Sequence, residues 1–133
     1  MKAGEEEHLA TLQQLLAARR VRPSALLPLA GAAGYALGAV SGLLGARSAM
    51  ACTVAVETVI GAHYNDQIRD LLSGGHGEDE RELLGVFRRH RDEELAHLDT
   101  GLQRGAEQAP LYAALSALVK AGCGAAIEVV RRV

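Results

Sequence analysis

The chain has 133 residues, enough for one domain with a modest core, and 14 Lys and Arg against 16 Asp and Glu leave a net charge of -2. That balance supplies no basic face for nucleic acid, so no nucleic-acid partner is expected. The composition is 49% hydrophobic but only 3% aromatic, with 15 Gly and no Trp, so the core must come from Leu, Ala and Val, which suits closely packed helices.

Residues 1–20 read as a helix whose apolar stripe, Leu9, Leu12, Leu15 and Leu16, runs in step with His8, with Arg19 and Arg20 at its C-terminal end. The stretch is acidic at its start and lacks the basic end and short apolar run of a secretory leader. Val21-Arg22-Pro23-Ser24 breaks the helix. From Pro23 to Ala46 the chain carries no charge, and a second helix is expected from about Ser24 to Gly45. Gly31, Gly34, Gly38 and Gly42 recur there at helical spacing and predict a close approach by another backbone. The stretch is long enough to span a bilayer. Its prolines and glycines favour instead a helix buried on one side and dipping into a membrane surface on the other, with a single span as the alternative.

A third helix is expected from about Ala49 to Leu72, with Val54, Glu57, Ile60 or Gly61, Tyr64, Ile68 and Leu71 inward. Ser73-Gly74-Gly75-His76-Gly77 is a loop by composition. A fourth helix runs from about Glu78 to Arg104, with Leu83, Leu84, Val86 and Phe87 leading to Glu94 and His97. Pro110 suits the first turn of a last helix that ends near Arg131. No segment shows strand alternation, so the chain is an all-α bundle of five helices in one domain, residues 1–133. Cys52 and Cys123 both sit among apolar residues and read as buried free thiols.

Two Glu-x-x-His pairs carry the chemistry: Glu5 with His8, and Glu94 with His97. In a helix each pair places carboxylate and imidazole one turn apart on one face. Their continuations match, His8-Leu9-Ala10-Thr11 against His97-Leu98-Asp99-Thr100, which makes the two far more telling than one. Glu57 lies between apolar neighbours, where an unpartnered carboxylate is expensive. Together these residues form the ligand kit of a di-iron carboxylate bundle. Glu5 and Glu94 would bridge two irons, His8 and His97 would bind terminally, and Glu57 would be terminal on the iron of His97. Solvated acidic runs are the competing reading for Glu5-Glu6-Glu7 and Asp92-Glu93-Glu94; register with His8 and His97 selects Glu5 and Glu94. His63, His76 and His90 read as non-ligands. Tyr64, on the face of Glu57, is a core tyrosine with one hydrogen-bond partner or a residue lining the oxygen or substrate pocket. Such a site uses six ligands, of which five are present; the spacing of Glu57 before Glu94 predicts a further carboxylate ahead of Glu5 on an earlier helix, with Met1 an internal methionine of a longer parent.

The strings Glu5-x-x-His8-Leu9, Arg20-Val21-Arg22-Pro23-Ser24, Ala51-Cys52-Thr53-Val54-Ala55-Val56-Glu57, His63-Tyr64-Asn65-Asp66-Gln67-Ile68-Arg69, Arg91-Asp92-Glu93-Glu94-Leu95-Ala96-His97 and Ala121-Gly122-Cys123 resemble the demethoxyubiquinone hydroxylases, the di-iron monooxygenases of ubiquinone biosynthesis. The resemblance covers essentially the whole chain and implies a ferritin-like bundle that is peripheral to a membrane. It implies hydroxylation of a polyprenyl benzoquinol with two iron ions, dioxygen and a reductant such as NADH. Carried over residue by residue, the iron ligands are Glu5, His8, Glu57, Glu94 and His97, without the family's first Glu. The uncharged second helix would then open the pocket toward lipid. The expected place is the cytoplasmic face of a bacterial inner membrane, or else the matrix side of the mitochondrial inner membrane. A lipid-binding accessory protein and a homo-oligomer are the further partners to consider. The competing readings are a truncated, inactive or structural bundle with an incomplete iron site, and ferritin-like iron storage or peroxide removal.

Overall fold

The computed structural model describes residues 1–74 and 77–132. Among the described residues five α-helices follow one another: α1 (Lys2–Ala18), α2 (Leu27–Leu43), α3 (Ala46–Ser73), α4 (Glu78–Gln103) and α5 (Tyr112–Arg132), with a 3-10 turn at Ala106–Gln108 before the last. No strand occurs among the described residues, as the periodicity predicts. The helix α3 is central: α4 lies along one side of it, and α2 and α5 cover the other. His76, read from sequence as a loop residue and non-ligand, lies outside the described residues.

Local chemistry explains where the helices start and stop. Ser24 takes the amide of Leu26 on its hydroxyl at 3.2 Å, and Pro28 sits in the first turn of α2, so this helix begins at Leu27 rather than at Ser24. The chain enters α3 through Gly45 at φ 109, a conformation open essentially to glycine alone. Three acidic residues open α4, Glu78, Asp79 and Glu80, and the Glu80 carboxylate accepts the amide of Gly77. Gly105 at φ 83 ends that helix in the left-handed cap. Pro110 does not open α5: Ala109 before it is extended, Leu111 after it stands at φ 53, and the helix starts at Tyr112.

The core is made of small residues, which lets the helices approach closely. Ala51, Val54, Ala106 and Ala109 form one cluster with Met50, Leu98, Leu102, Tyr112 and Leu115 around it. Cys52, Ala55 and Val119 form a second with Leu37, Val56, Leu115 and Cys123, and both cysteines are free thiols. The tightest crossing is at Gly101, where a β-carbon would stand 2.6 Å from Cγ2 of Val54 and 3.4 Å from the carbonyl of Met50.

Three expectations need correction. The glycines of α2 are not a packing seam: a β-carbon on Gly31, Gly34, Gly38 or Gly42 would meet nothing within 4 Å, because α2 turns Ser41 and Leu37 toward α3 instead. Leu9 leaves the apolar stripe of α1 and is 50% exposed, because only His8 of that helix is buried. Finally, α2 is 17 residues long, and the one described helix long and apolar enough to cross a membrane is α5, with 21 residues. Both helices leave large side chains in the open, including Leu29, Tyr35, Val40 and Leu43 on α2 and Leu118, Val129 and Val130 on α5. Leu26, Leu29 and Ala33 face Ala125, Val129 and Val130 across an apolar groove of about 290 Å³.

Candidate metal centre

The helices α1, α3 and α4 each bring acidic or imidazole groups to one place. Glu57 projects from the middle of α3, Glu94 and His97 from α4, and Glu5 from α1, and one potential ligand atom from each of the four lies within 4.8 Å of the others. Glu94 is 3% exposed and Glu57 8%, so two carboxylates share a nearly dry site. Burial comes first in pushing Glu57 up to about 9, followed by the hydrogen-bonding approach and charge of Glu94 and then the charge of Glu5. A pair of carboxylates in this position cannot both ionise cheaply without a cation between them.

His8 reaches the same cluster from α1. Its Nδ1 stands 3.0 Å from Oε1 of Glu94 and 3.8 Å from Oε2 of Glu5. On α4, Nδ1 of His97 stands 3.0 Å from Oε1 of Glu5 and 3.5 Å from Oε2 of Glu94. Despite this closeness, Nδ1 of His8, Nδ1 of His97 and Oε2 of Glu94 are buried without any hydrogen-bond partner. Orphaned polar atoms cost free energy when nothing satisfies them. Three of them around one cluster of hard carboxylate and imidazole donors is the pattern that fits a metal centre of the iron or manganese kind. The five residues singled out from sequence, Glu5, His8, Glu57, Glu94 and His97, are thus brought together.

Two residues given no role in the sequence reading adjoin the cluster. Nε2 of His8 meets Oε2 of Glu93 at 2.5 Å. The ring of His90 stacks on that of His8 with centroids 4.0 Å apart, and Nδ1 of His90 lies 3.2 Å from the hydroxyl of Tyr64. At 1% exposure His90 is the most enclosed large side chain described, although its flanking arginines point to solvent by composition. The signal was available in the spacing: His90, Glu94 and His97 fall on one helical face, and Tyr64 falls on the face of Glu57. His63, by contrast, lies in a groove between α3 and α5 beside Gln67, Ile127 and Arg131. Burial, and then the charge of Arg131, hold its imidazole below the ordinary histidine range.

For His8, burial is the largest single influence and disfavours the cation, but the hydrogen bond to Glu93 and the charges of Glu94, Glu5 and Glu93 together outweigh it and raise the imidazole. Burial, then the neighbouring His8 and Arg89, lower His90. Tyr64 is pushed up to about 12, first by burial and then by the surrounding carboxylates. The phenol therefore keeps its proton.

An all-α bundle that turns carboxylates and imidazoles from three helices to one point defines a class: helical-bundle proteins with a carboxylate–histidine cluster able to hold a metal. The chain belongs to the COQ7 family, ubiquinone biosynthesis protein COQ7, whose family model matches residues 1–130. It is 52% identical over 128 residues to the NADPH-dependent 3-demethoxyubiquinone 3-hydroxylase, mitochondrial, of Rattus norvegicus, a match covering 96% of this chain and 58% of that protein. It is 49% identical over 133 residues to the 3-demethoxyubiquinol 3-hydroxylase of Rhodospirillum rubrum, covering 100% of this chain and 60% of that one. The 5-demethoxyubiquinone hydroxylase, mitochondrial, of Saccharomyces cerevisiae is 39% identical over 139 residues, with 97% and 60% covered. The chain thus spans about three fifths of the length of these relatives.

Proposed function

We propose that this chain carries the metal site of an oxygen-dependent hydroxylase that acts on a demethoxylated polyprenyl benzoquinol in ubiquinone synthesis. The observation that carries the reading is the convergence of Glu5, Glu57, Glu94 and His97, with His8 beside them, around buried atoms that have no protein partner. Glu5 and Glu94, each near both imidazoles, would be the carboxylates shared by two iron ions, His8 and His97 would each serve one of them, and Glu57 would contribute from α3. When bound, the iron pair would supply the electrons and coordination that activate dioxygen for insertion into an aromatic ring. The quinol as substrate rests on the names of the relatives, and the nicotinamide nucleotide as reductant on the name of the Rattus norvegicus protein.

The chain's own residues set the surroundings of that chemistry. Burial of Glu57 and Glu94 takes these two carboxylates out of water, whereas Glu5 of the same cluster is half exposed. Glu57, pushed up toward about 9, holds a proton in the metal-free protein and must release it for a cation to bind. A polyprenyl tail partitions into lipid, and the exposed apolar side chains of α2 and α5 give the molecule a surface that matches a membrane face. The test is iron content with quinol turnover. Anaerobic Fe(II) loading is expected to reach two ions per chain and to fall to one or none in Glu94→Ala, with hydroxylation of demethoxyubiquinol lost in parallel. An unsubstituted chain that takes up no iron, or a Glu57→Ala variant that hydroxylates at the full rate, would overturn the reading.

A further inference from the structure

His8 and His97 occupy matching places in the two Glu-x-x-His pairs but are held differently. His8 is 5% exposed and is fixed from two sides. Glu93 takes its Nε2 at 2.5 Å, and His90 stacks on its ring at 4.0 Å. His90 is in turn fixed by Tyr64, whose hydroxyl shares a hydrogen bond with Nδ1 of His90 at 3.2 Å, and Tyr64 packs against Phe87 with ring centroids 5.7 Å apart. His97 has its Nδ1 toward Glu5 and Glu94, yet among the described residues its Nε2 makes no hydrogen bond and no ring stacks on it. Beside it stands Gly4, where even a β-carbon would come no closer than 3.5 Å to the ring.

From this difference we infer that Glu93, His90 and Tyr64 are positioning residues for His8, so that the two metal positions of the cluster are unequal and the one served by His8 fills first. This rests on the reading of the cluster as a two-metal site. An imidazole has two nitrogens and cannot serve a metal with the one that is already hydrogen bonded. With Nε2 engaged by Glu93, Nδ1 is left facing Glu94, and the stack on His90 opposes rotation of the ring about its bond to Cβ. Hydrogen-bonded partners of this kind orient a ligating histidine and fix its tautomer, and their removal typically weakens metal binding about ten- to a hundredfold. The Glu93 side chain is 46% exposed, so its ion pair alone is worth little in water. The enclosed His90, held by Tyr64, makes the arrangement stiff. Its place in Arg88-Arg89-His90-Arg91 resembles a basic surface run, and only its spacing from Glu94 and His97 marks it as facing the cluster.

The probe is Co(II), whose visible absorption reports each coordination environment, titrated into the chain and into Glu93→Gln, His90→Phe and Tyr64→Phe. The unsubstituted chain is expected to bind in two steps, the tighter lost in His8→Ala and the weaker lost in His97→Ala. Glu93→Gln and His90→Phe should weaken the tighter step about tenfold or more and shift its absorption band, and leave the weaker step in place. Equal steps, a loss spread over both, or no change in either variant overturns the inference. A second readout needs no metal: the ring nitrogens of His8 in the metal-free protein, observed by NMR. At a pH where this imidazole is neutral they should report one tautomer, with the proton on Nε2, and in Glu93→Gln a mixture of two; a mixture in the unsubstituted chain overturns the inference. Because Glu93 is exposed, Glu93→Gln leaves the core untouched and decides the matter even where His90→Phe fails to fold. If the unsubstituted chain takes up no Co(II), the two-metal reading fails, and the claim of unequal metal positions falls with it; the NMR result still tells whether Glu93 sets the ring of His8.

Discussion

Glu57 sits 8% exposed in a helix of small and apolar residues, opposite Glu94, and burial with that neighbour pushes it up to about 9. In the unfolded chain the same group titrates as an ordinary carboxylate, near 4.5. A raised folded-state value means that the protonated form fits the fold. The contribution to stability is therefore full below the unfolded value and is lost as pH rises through about 9. Glu57→Gln is neutral throughout. In metal-free protein its melting temperature should match that of the unsubstituted chain near pH 4 and exceed it by a margin that grows toward pH 9. Thermal unfolding at several pH values in a chelating buffer checks this, and a constant margin would contradict it. With metal present the order should reverse, because the variant then lacks a charged ligand.

At the level of helices, the contact of α3 with α4 decides whether Glu57 meets Glu94 and His97. Gly101 lies one turn beyond His97 and permits that approach, since a β-carbon there would press on Val54 at 2.6 Å. Val54 is 4% exposed and β-branched, so it has little room to turn away. Gly101→Ala gains about 1 kcal/mol of helix propensity. It also overpacks a tight crossing, which costs about 1–3 kcal/mol. The net expectation is a melting temperature lower by a few degrees, together with weaker metal uptake as α4 moves off α3. A variant at least as stable as the parent with full metal content would show that the crossing has slack. The helix α1 docks by different means: besides His8 and Glu5, it is tied to α4 by Arg19, which reaches Glu82 at 3.1 Å and the carbonyl of Asp79 at 3.0 Å. Leu12, Leu15 and Leu16 of its apolar stripe are half-buried, and only His8 is fully enclosed.

For the molecule as a whole, polar chemistry and apolar surface are divided between two sides of α3. The carboxylate–imidazole cluster lies where α3 meets α4 and α1, while α2 and α5 present Leu29, Tyr35, Val40, Leu43, Leu118 and Val129 to the outside. Scattered exposed apolar side chains are normal, but a run of them on two neighbouring helices marks a surface made for lipid or protein. Co-sedimentation with phospholipid vesicles should therefore recover most of the chain. Leu29→Glu together with Leu118→Glu should release it into the supernatant, with the metal content unchanged. Retention of the double variant on vesicles would place the membrane contact elsewhere.

The helical class and the acidic and imidazole residues that converge on one point were legible from the sequence, because both depend on spacing along one helix. A Glu-x-x-His pair fixes the relation of its two side chains wherever the helix lies, as with Glu5 and His8 or Glu94 and His97, and an isolated carboxylate among Val and Ile, as at Glu57, is a local anomaly. The start of α5 was not legible, because Pro110 suits a helix entry and only the packing of Ala106 and Ala109 into the core forces an extended step and a left-handed Leu111 before the helix. Nor was the fate of the α2 glycines: spacing tells which residues share a face, and only the docking of Leu37 and Ser41 decided which face turned inward. His90 looked like part of a basic surface run, and the approach of α1, which lays His8 on its ring, made it the most enclosed residue near the cluster. Relations within a helix are set by its covalent repeat and can be read from sequence; relations between helices arise from how their surfaces fit, which only the tertiary structure contains.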